Sequence, residues 1–338
     1  MVPNSSAVSH RVRTRRRQVA VLGFAVVAAL VIWWVATNGR GAADSQRDTG
    51  NPALPGGTPL DPGAFAAGAC VAYGPTVGDR HETVFLDAGH GGIDPGAVGT
   101  TESSQTIDEA DETLPVELDA MAILRVAGFR VVVSRTSATT VTRLNSADAS
   151  DGILTLQGSH DDVVARAACA DDAGARVLVG IYFDGGDTDQ LAGSLTAYDA
   201  DRPFSTANET FAGLLQTDVL DDMNAQGWDI PDDGVVSDDQ LGSYVGDPTS
   251  GGIAGDAAAY DHLLLLGPAM PGFFSRPSTM PGAVIEPLYI TDPFEGSIAA
   301  STHGQHVIAE GIARSVEQFL APPPAHHDAA AGDKDRTS

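Results

Sequence analysis

The sequence is poor in cysteine and in positive charge. Its two cysteines, Cys70 and Cys169, are too few and too far apart for a zinc–cysteine centre. In an oxidising compartment such a pair can form one bridge, tying the start of a domain to its middle. Two buried thiols are the alternative. Lys and Arg total 19 against 45 Asp and Glu, a formal net charge of −26. A chain this acidic repels phosphate backbones, so nucleic acid is excluded as a partner. The acidity itself fits solubility and salt tolerance. The glycines at 89–92 are not followed by the lysine of a phosphate loop, and their spacing is not that of a dinucleotide fold. Internal repeats are also absent.

The few basic residues are unevenly placed. Six arginines, Arg11, Arg13, Arg15, Arg16, Arg17 and Arg40, lie in the first 40 residues, where there is no Asp or Glu. The basic segment 1–18 precedes VAVLGFAVVAALVIWWVA, 18 residues with no charge and no proline. That is about the length needed to cross a bilayer as a helix. Residues 19–37 are therefore expected to be a transmembrane anchor, with the arginines cytoplasmic and Trp33 and Trp34 at the far interface. A cleaved signal peptide is the other reading of a basic, then apolar, amino terminus. Either one places the rest of the chain outside the cytoplasm. Residues 38–69, rich in Gly, Pro, Asp and Ala, read as an extracytoplasmic linker that extends to roughly 90 Å. Residues 321–338 read as a disordered tail, and His326 and His327 within it as solvated.

Between them, 70–320 alternates strand and helix. Strands are predicted at 82–86, 129–134, 175–183 and 283–285. Helices are predicted at 110–127, 161–173, 206–226 and 303–320, the first with Leu114, Leu118, Met121 and Leu124 on one face and Gly128 as its stop. This pattern predicts a single α/β domain with a mostly parallel mixed sheet flanked by helices. Residues 229–258, acidic and glycine-rich, read as a long loop or insertion.

Working residues in such folds gather at the carboxyl ends of strands. His90 follows the first predicted strand in LDAGHGG, and Glu286 ends the last in PGAVIE. A charge directly after a buried strand needs a purpose. Glu109 opens the first helix in EADETL, and the chain then runs through Gly128 to a strand ending Ser134-Arg135. Together these motifs resemble the zinc-dependent N-acetylmuramoyl-L-alanine amidases of the type 3 family, over about 82–320. Arg166 with Ala167 and Ala168 fits that family's helix before the third core strand. The resemblance implies a bound Zn2+, held by His90, Glu109 and a third ligand, with Glu286 as general acid/base. It implies hydrolysis of the amide between N-acetylmuramic acid and L-alanine of the peptidoglycan stem. A catalytic zinc takes three protein ligands and one open position, and lowers the pKa of its water to about 7.

The sequence departs from the family at the third ligand. Where the family has Ser-Ile-His-Ala-Asn, this chain has Gly180-Ile181-Tyr182-Phe183-Asp184. Tyr182 takes the ligand position, and a neutral phenol is a poor substitute for imidazole. Asp184 shares its strand face but lies roughly 6.6 Å further along. His160 and His262 are histidines elsewhere that a fold could bring back, although lone histidines are usually structural. His303 and His306 are expected on a helix surface, and Asp87 is expected to orient the His90 loop. Two functions follow. One is a working peptidoglycan amidase with an altered metal site. The alternative is a catalytically inactive amidase-fold protein that binds peptidoglycan or regulates a cell-wall hydrolase.

Overall fold

The computed structural model describes residues 56–241 and 259–322. The basic segment 1–18, the expected anchor at 19–37 and nearly all of the tail lie outside these residues. None of the described helices is long and apolar enough to cross a membrane.

An eight-stranded mixed sheet forms the centre. Its strands, in chain order, are β1 (Thr58–Pro59), β2 (Ala69–Tyr73), β3 (Thr83–Ala88), β6 (Arg130–Arg135), β9 (Val177–Ile181), β10 (Ser194–Tyr198), β11 (Asp232–Ser237) and β12 (Gly282–Glu286). Two short hairpins supply β4 (Val98–Thr100) with β5 (Thr106–Asp108), and β7 (Ala149–Ser150) with β8 (Ile153–Leu154). In space the strands of the main sheet run β1-β2-β6-β3-β9-β12-β10-β11. The four central strands β6, β3, β9 and β12 are parallel. β2 is antiparallel to β6, and β10 to β12, while β11 runs parallel to β10. The predicted mostly parallel mixed sheet is thus the one observed.

Helices cover both faces, as a parallel sheet requires. On one side lie α1 (Glu109–Val126), α3 (Ser205–Ala225) and α5 (Thr302–Phe319), with the short α4 (Pro293–Ala299) against α5. On the other lies α2 (Leu156–Ala173) together with the Tyr260–Phe274 segment. Successive strand residues alternate between the two cores. Val84, Leu86, Val131, Val133, Val177 and Val179 face α1, α3 and α5. Phe85, Val132 and Leu178 face α2.

Three sequence expectations are corrected. The linker predicted at 38–69 ends earlier, because Thr58–Pro59 pairs with β2 and Phe65 is buried. Arg143 binds the carbonyls of Phe65 and Pro62, which fixes this Gly/Pro-rich stretch to the domain. The predicted loop at 229–258 contains β11, paired along its length with β10. The buried face of α1 carries Ala110, Thr113, Val116, Glu117, Ala120, Met121 and Leu124. Leu114 and Leu118 are only half-buried, because two polar residues, Thr113 and Glu117, turn inward to satisfy the backbone of the β3 and β6 ends.

Cys70 and Cys169 form a disulfide joining β2 to α2 across 99 residues. A loop of that length removes enough denatured-state entropy to contribute up to about 4.7 kcal/mol in the chain-entropy model. Glu117 is fully buried, and its Oε1 accepts from the amides of Ala88 and Ser134 and from the Ser134 hydroxyl. Burial pushes its pKa from 4.5 up to about 8, against the pull of the neighbouring Arg135 and with added repulsion from Asp87. Because the folded state binds the proton more tightly, this stabilisation is full below about pH 4.5 and is lost as pH rises through about 8. Thermal unfolding followed between those limits should therefore show a melting temperature that falls with pH. Glu117→Gln keeps the uncharged, hydrogen-bonded form at every pH, and should flatten that fall. An unchanged slope in the variant would refute the assignment.

Candidate active site

β3, β9 and β12 are parallel, so their carboxyl ends lie at one edge of the sheet. His90 follows β3, Tyr182 and Asp184 follow β9, and Glu286 ends β12. Glu109 reaches the same place from the first turn of α1.

The chain turns sharply after Ala88. His90 takes a left-handed backbone, φ 58°, a conformation that costs a residue with a Cβ about 1–2 kcal/mol. Arg166 from α2 holds that turn. Its Nη2 donates to the His90 carbonyl at 2.6 Å, and its Nη1 to the Ala88 carbonyl at 2.6 Å and to Asp87 Oδ1 at 2.7 Å. Asp162 pairs with the same guanidinium and accepts from the amides of Val141 and Thr142. Arg135, at the end of β6, donates to the carbonyls of Ala88, Gly89 and Ala110. Two buried arginines therefore bind the backbone around the histidine, and Asp87 accepts from one of them rather than from the loop itself.

The imidazole is fixed in turn. Its Nδ1 donates to Asp94 at 2.9 Å. Its Nε2 is buried without a hydrogen-bond partner, 3.1 Å from Glu109 Oε2. Burial opposes a charge on His90, but Asp94 and Glu109 outweigh it and raise its pKa well above the usual value. Glu109 is fixed by two amides: Phe183 N to Oε1 at 3.0 Å and Ala97 N to Oε2 at 2.9 Å. A nitrogen lone pair beside a carboxylate oxygen favours a positive species shared between them, either a proton or a metal ion.

Tyr182 does not complete the pair. Its hydroxyl donates to Asp87 Oδ2 at 3.2 Å, and its ring meets the His90 ring edge-on at 5.5 Å. Burial, and then the Asp87 charge, hold its pKa well above 10, so it stays a neutral phenol. Asp184 accepts from its neighbouring amide Gly185 N and is bonded by Tyr289. It lies near Glu286, whose Oε2 is buried without a hydrogen-bond partner. Burial pushes Asp184 up to about 8. Burial, the Asp184 charge and the Glu109 charge push Glu286 well up. Burial and the neighbouring negative charges thus favour the protonated form of Glu286. Among the described residues, only one group brings three His, Cys, Asp or Glu donor atoms within 4.8 Å of one another. It consists of Asp199, Asp238 and His262 and does not include His90 or Glu109.

The family model for N-acetylmuramoyl-L-alanine amidases (Amidase_3) matches residues 84–318. The chain belongs to this amidase family. Comparison with curated proteins finds no match. Among solved structures, the amidase AmiC2 of Nostoc punctiforme shares 22% identity, covering 72% of this chain and 99% of its own, with a TM-score of 0.49. The CwlD amidase from Clostridioides difficile, solved in complex with the GerS lipoprotein, shares 18% identity over 71% and 98%, with a TM-score of 0.50. The amidase Ami1 from Mycobacterium smegmatis shares 19% over 72% and 98%, at 0.46. At these identities the likeness to CwlD speaks to the fold alone.

Within this amidase, the fold brings together His90, Glu109, Asp184 and Glu286, and places His160, His262, His303 and His306 elsewhere. His160 donates from Nε2 to the Phe273 carbonyl at 2.9 Å and sets Nδ1 3.0 Å from Asp161 Oδ1. His303 stacks edge-on against Trp228, and His306 is exposed beside Asp119 and Glu310. Sequence reasoning missed Asp94, although its place in DPG four residues after His90 was a usable signal. It also missed the anchoring roles of Arg135 and Arg166, which come from separate strands and helices and show only in three dimensions.

Gly96 sits directly beneath the His90–Glu109 pair at φ 69°. A Cβ there would lie 2.6 Å from both Glu109 Oε2 and His90 Cδ2. Gly96→Ala should therefore force the pair apart and add backbone strain of about 1–2 kcal/mol. Denaturant unfolding should show that loss, and the His90 imidazole NMR signals should shift. Wild-type signals and stability in the variant would contradict the packing described.

Proposed function

We propose that the chain is a peptidoglycan hydrolase of the amidase type. It would cleave the amide between the lactyl group of N-acetylmuramic acid and L-alanine of the stem peptide. The observation that carries this reading is the meeting of His90 Nε2 and Glu109 Oε2, 3.1 Å apart, at the strand ends that also present the Asp184–Glu286 acid pair.

His90 and Glu109 fit a zinc ion: one offers a buried nitrogen with no hydrogen-bond partner, the other an amide-anchored carboxylate. Tyr182 does not fit as the third ligand, since its hydroxyl is engaged by Asp87. Asp184 is the carboxylate left nearby. Zinc held at His90 and Glu109 would supply Lewis acidity and a more acidic water. The remaining chemistry belongs to the chain's own groups. Asp94 fixes the imidazole with Nε2 free. The amides of Ala97 and Phe183 keep Glu109 in place. The carboxyl groups of Glu286 and Asp184 take the proton that water loses as its oxygen bonds to the lactyl carbonyl, and pass a proton to the amine nitrogen as the C–N bond breaks. The products are a lactyl carboxylate and a stem peptide with a free L-alanine amino group.

The setting follows from the sequence. Residues 19–37 would hold the protein in the bacterial cell membrane as a single pass, with the domain on the extracytoplasmic side where peptidoglycan lies. The Cys70–Cys169 disulfide supports an oxidising compartment.

Incubating purified peptidoglycan with the full chain and Zn2+ tests the reading, with products analysed by mass spectrometry. Intact stem peptides beginning with L-alanine should appear. Glu286→Gln should slow their release by about 100-fold or more, the usual contribution of a general acid/base. Binding to peptidoglycan without release of any peptide would support the alternative of an amidase-fold binding protein.

A further inference from the structure

Among the described residues, the one group of three converging donor atoms lies at the other end of the sheet. Asp199 follows β10, Asp238 follows β11, and His262 comes from the segment packed beneath them. β10 is antiparallel to β12, with Leu195 opposite Glu286. Asp199, four residues beyond Leu195, is therefore roughly 13 Å further along the strand, away from the Glu286 end. The cluster is separate from the amidase site.

Its geometry is that of oriented ligands. Asp199 and Asp238 are both fully buried. Each uses one carboxylate oxygen to accept a backbone amide, Asp201 N to Asp199 Oδ1 at 2.7 Å and Leu263 N to Asp238 Oδ2 at 3.0 Å. Each turns its second oxygen to His262 Nδ1, at 3.1 Å from Asp199 Oδ2 and 3.4 Å from Asp238 Oδ1. Asp199 Oδ2 is buried and has no hydrogen-bond partner. On the far side of the ring, Asp201 Oδ2 lies 3.8 Å from Nε2, where it can orient the imidazole as a carboxylate outside a metal shell does.

With both carboxylates ionised, a protonated imidazole leaves the buried trio one negative charge in excess, while Asp201 is largely exposed. Arg202 is the nearest guanidinium, but its Nη1 and Nη2 hydrogens go to the carbonyls of Leu266, Gly267 and Ser278 rather than to these carboxylates. Uncompensated buried charge is costly. A divalent ion with neutral imidazole brings the three ligands to zero.

We propose that Asp199, Asp238 and His262 form a second, structural cation site. Its ion pins the ends of β10 and β11 to the 260–266 segment. Two carboxylates with one imidazole suit a borderline transition metal such as Zn2+, whereas Ca2+ takes an all-oxygen shell.

The test uses chelator-treated full chain carrying His90→Ala, so that the amidase site contributes nothing. Adding Zn2+ should raise its melting temperature saturably, with Ca2+ giving less. Adding Asp238→Asn, and separately His262→Gln, should weaken the Zn2+ response at least tenfold. Crystals of the His90→Ala protein grown with Zn2+ should give an anomalous zinc peak between the three side chains, a readout that needs no further substitution. No saturable Zn2+ response, a response indifferent to both substitutions, a peak elsewhere, or stabilisation by Ca2+ and not Zn2+ would each overturn the proposal.

Discussion

The Arg166 guanidinium is buried between α2 and the first strand of the parallel core, and every strong contact it makes is to the turn that carries His90 or to the carboxylates that neutralise it. That turn needs it. A histidine held at φ 58° has left the favoured backbone regions, and such strain persists only where surrounding contacts over-determine it. Arg166 and Arg135 together bind the carbonyls of Ala88, Gly89 and His90. Removing one partner of such a buried, hydrogen-bonded charge network costs roughly 3–5 kcal/mol. The position of the imidazole is thus set by arginines that do not touch it.

The same network accounts for what has become of Tyr182. Asp87 is held on one side by Arg166 and receives the phenol on the other. Tyr182 is therefore a member of the arginine–aspartate scaffold. Asp184, two residues on, lies near Glu286 and helps to push its pKa up.

The sequence was informative where chemistry is local. LDAGHGG and the glutamate ending PGAVIE each lie within a few residues of a strand end, so strand prediction alone brings them to one edge of a parallel sheet. Glu109 was legible for the same reason, as the first residue of a helix whose stop at Gly128 was visible. The Thr58–Pro59 strand was hidden because its Gly/Pro-rich surroundings have the composition of a linker, and its burial depends on β2 and Arg143. The inward face of α1 was misjudged because apolar periodicity does not register a glutamate that is buried to satisfy backbone amides. Asp199, Asp238 and His262 come from three segments brought together by an antiparallel register, which no local pattern records.

On the proposed reading, His90 and Glu109 offer two ligands to a metal ion and Tyr182 offers none. Zinc binding to the full chain, compared with its Tyr182→His and His90→Ala variants, tests this. Tyr182→His should bind Zn2+ at this site at least tenfold more tightly than the unaltered chain, and His90→Ala should remove that component. Equal affinity in the unaltered and Tyr182→His proteins, or a component indifferent to His90→Ala, would contradict it.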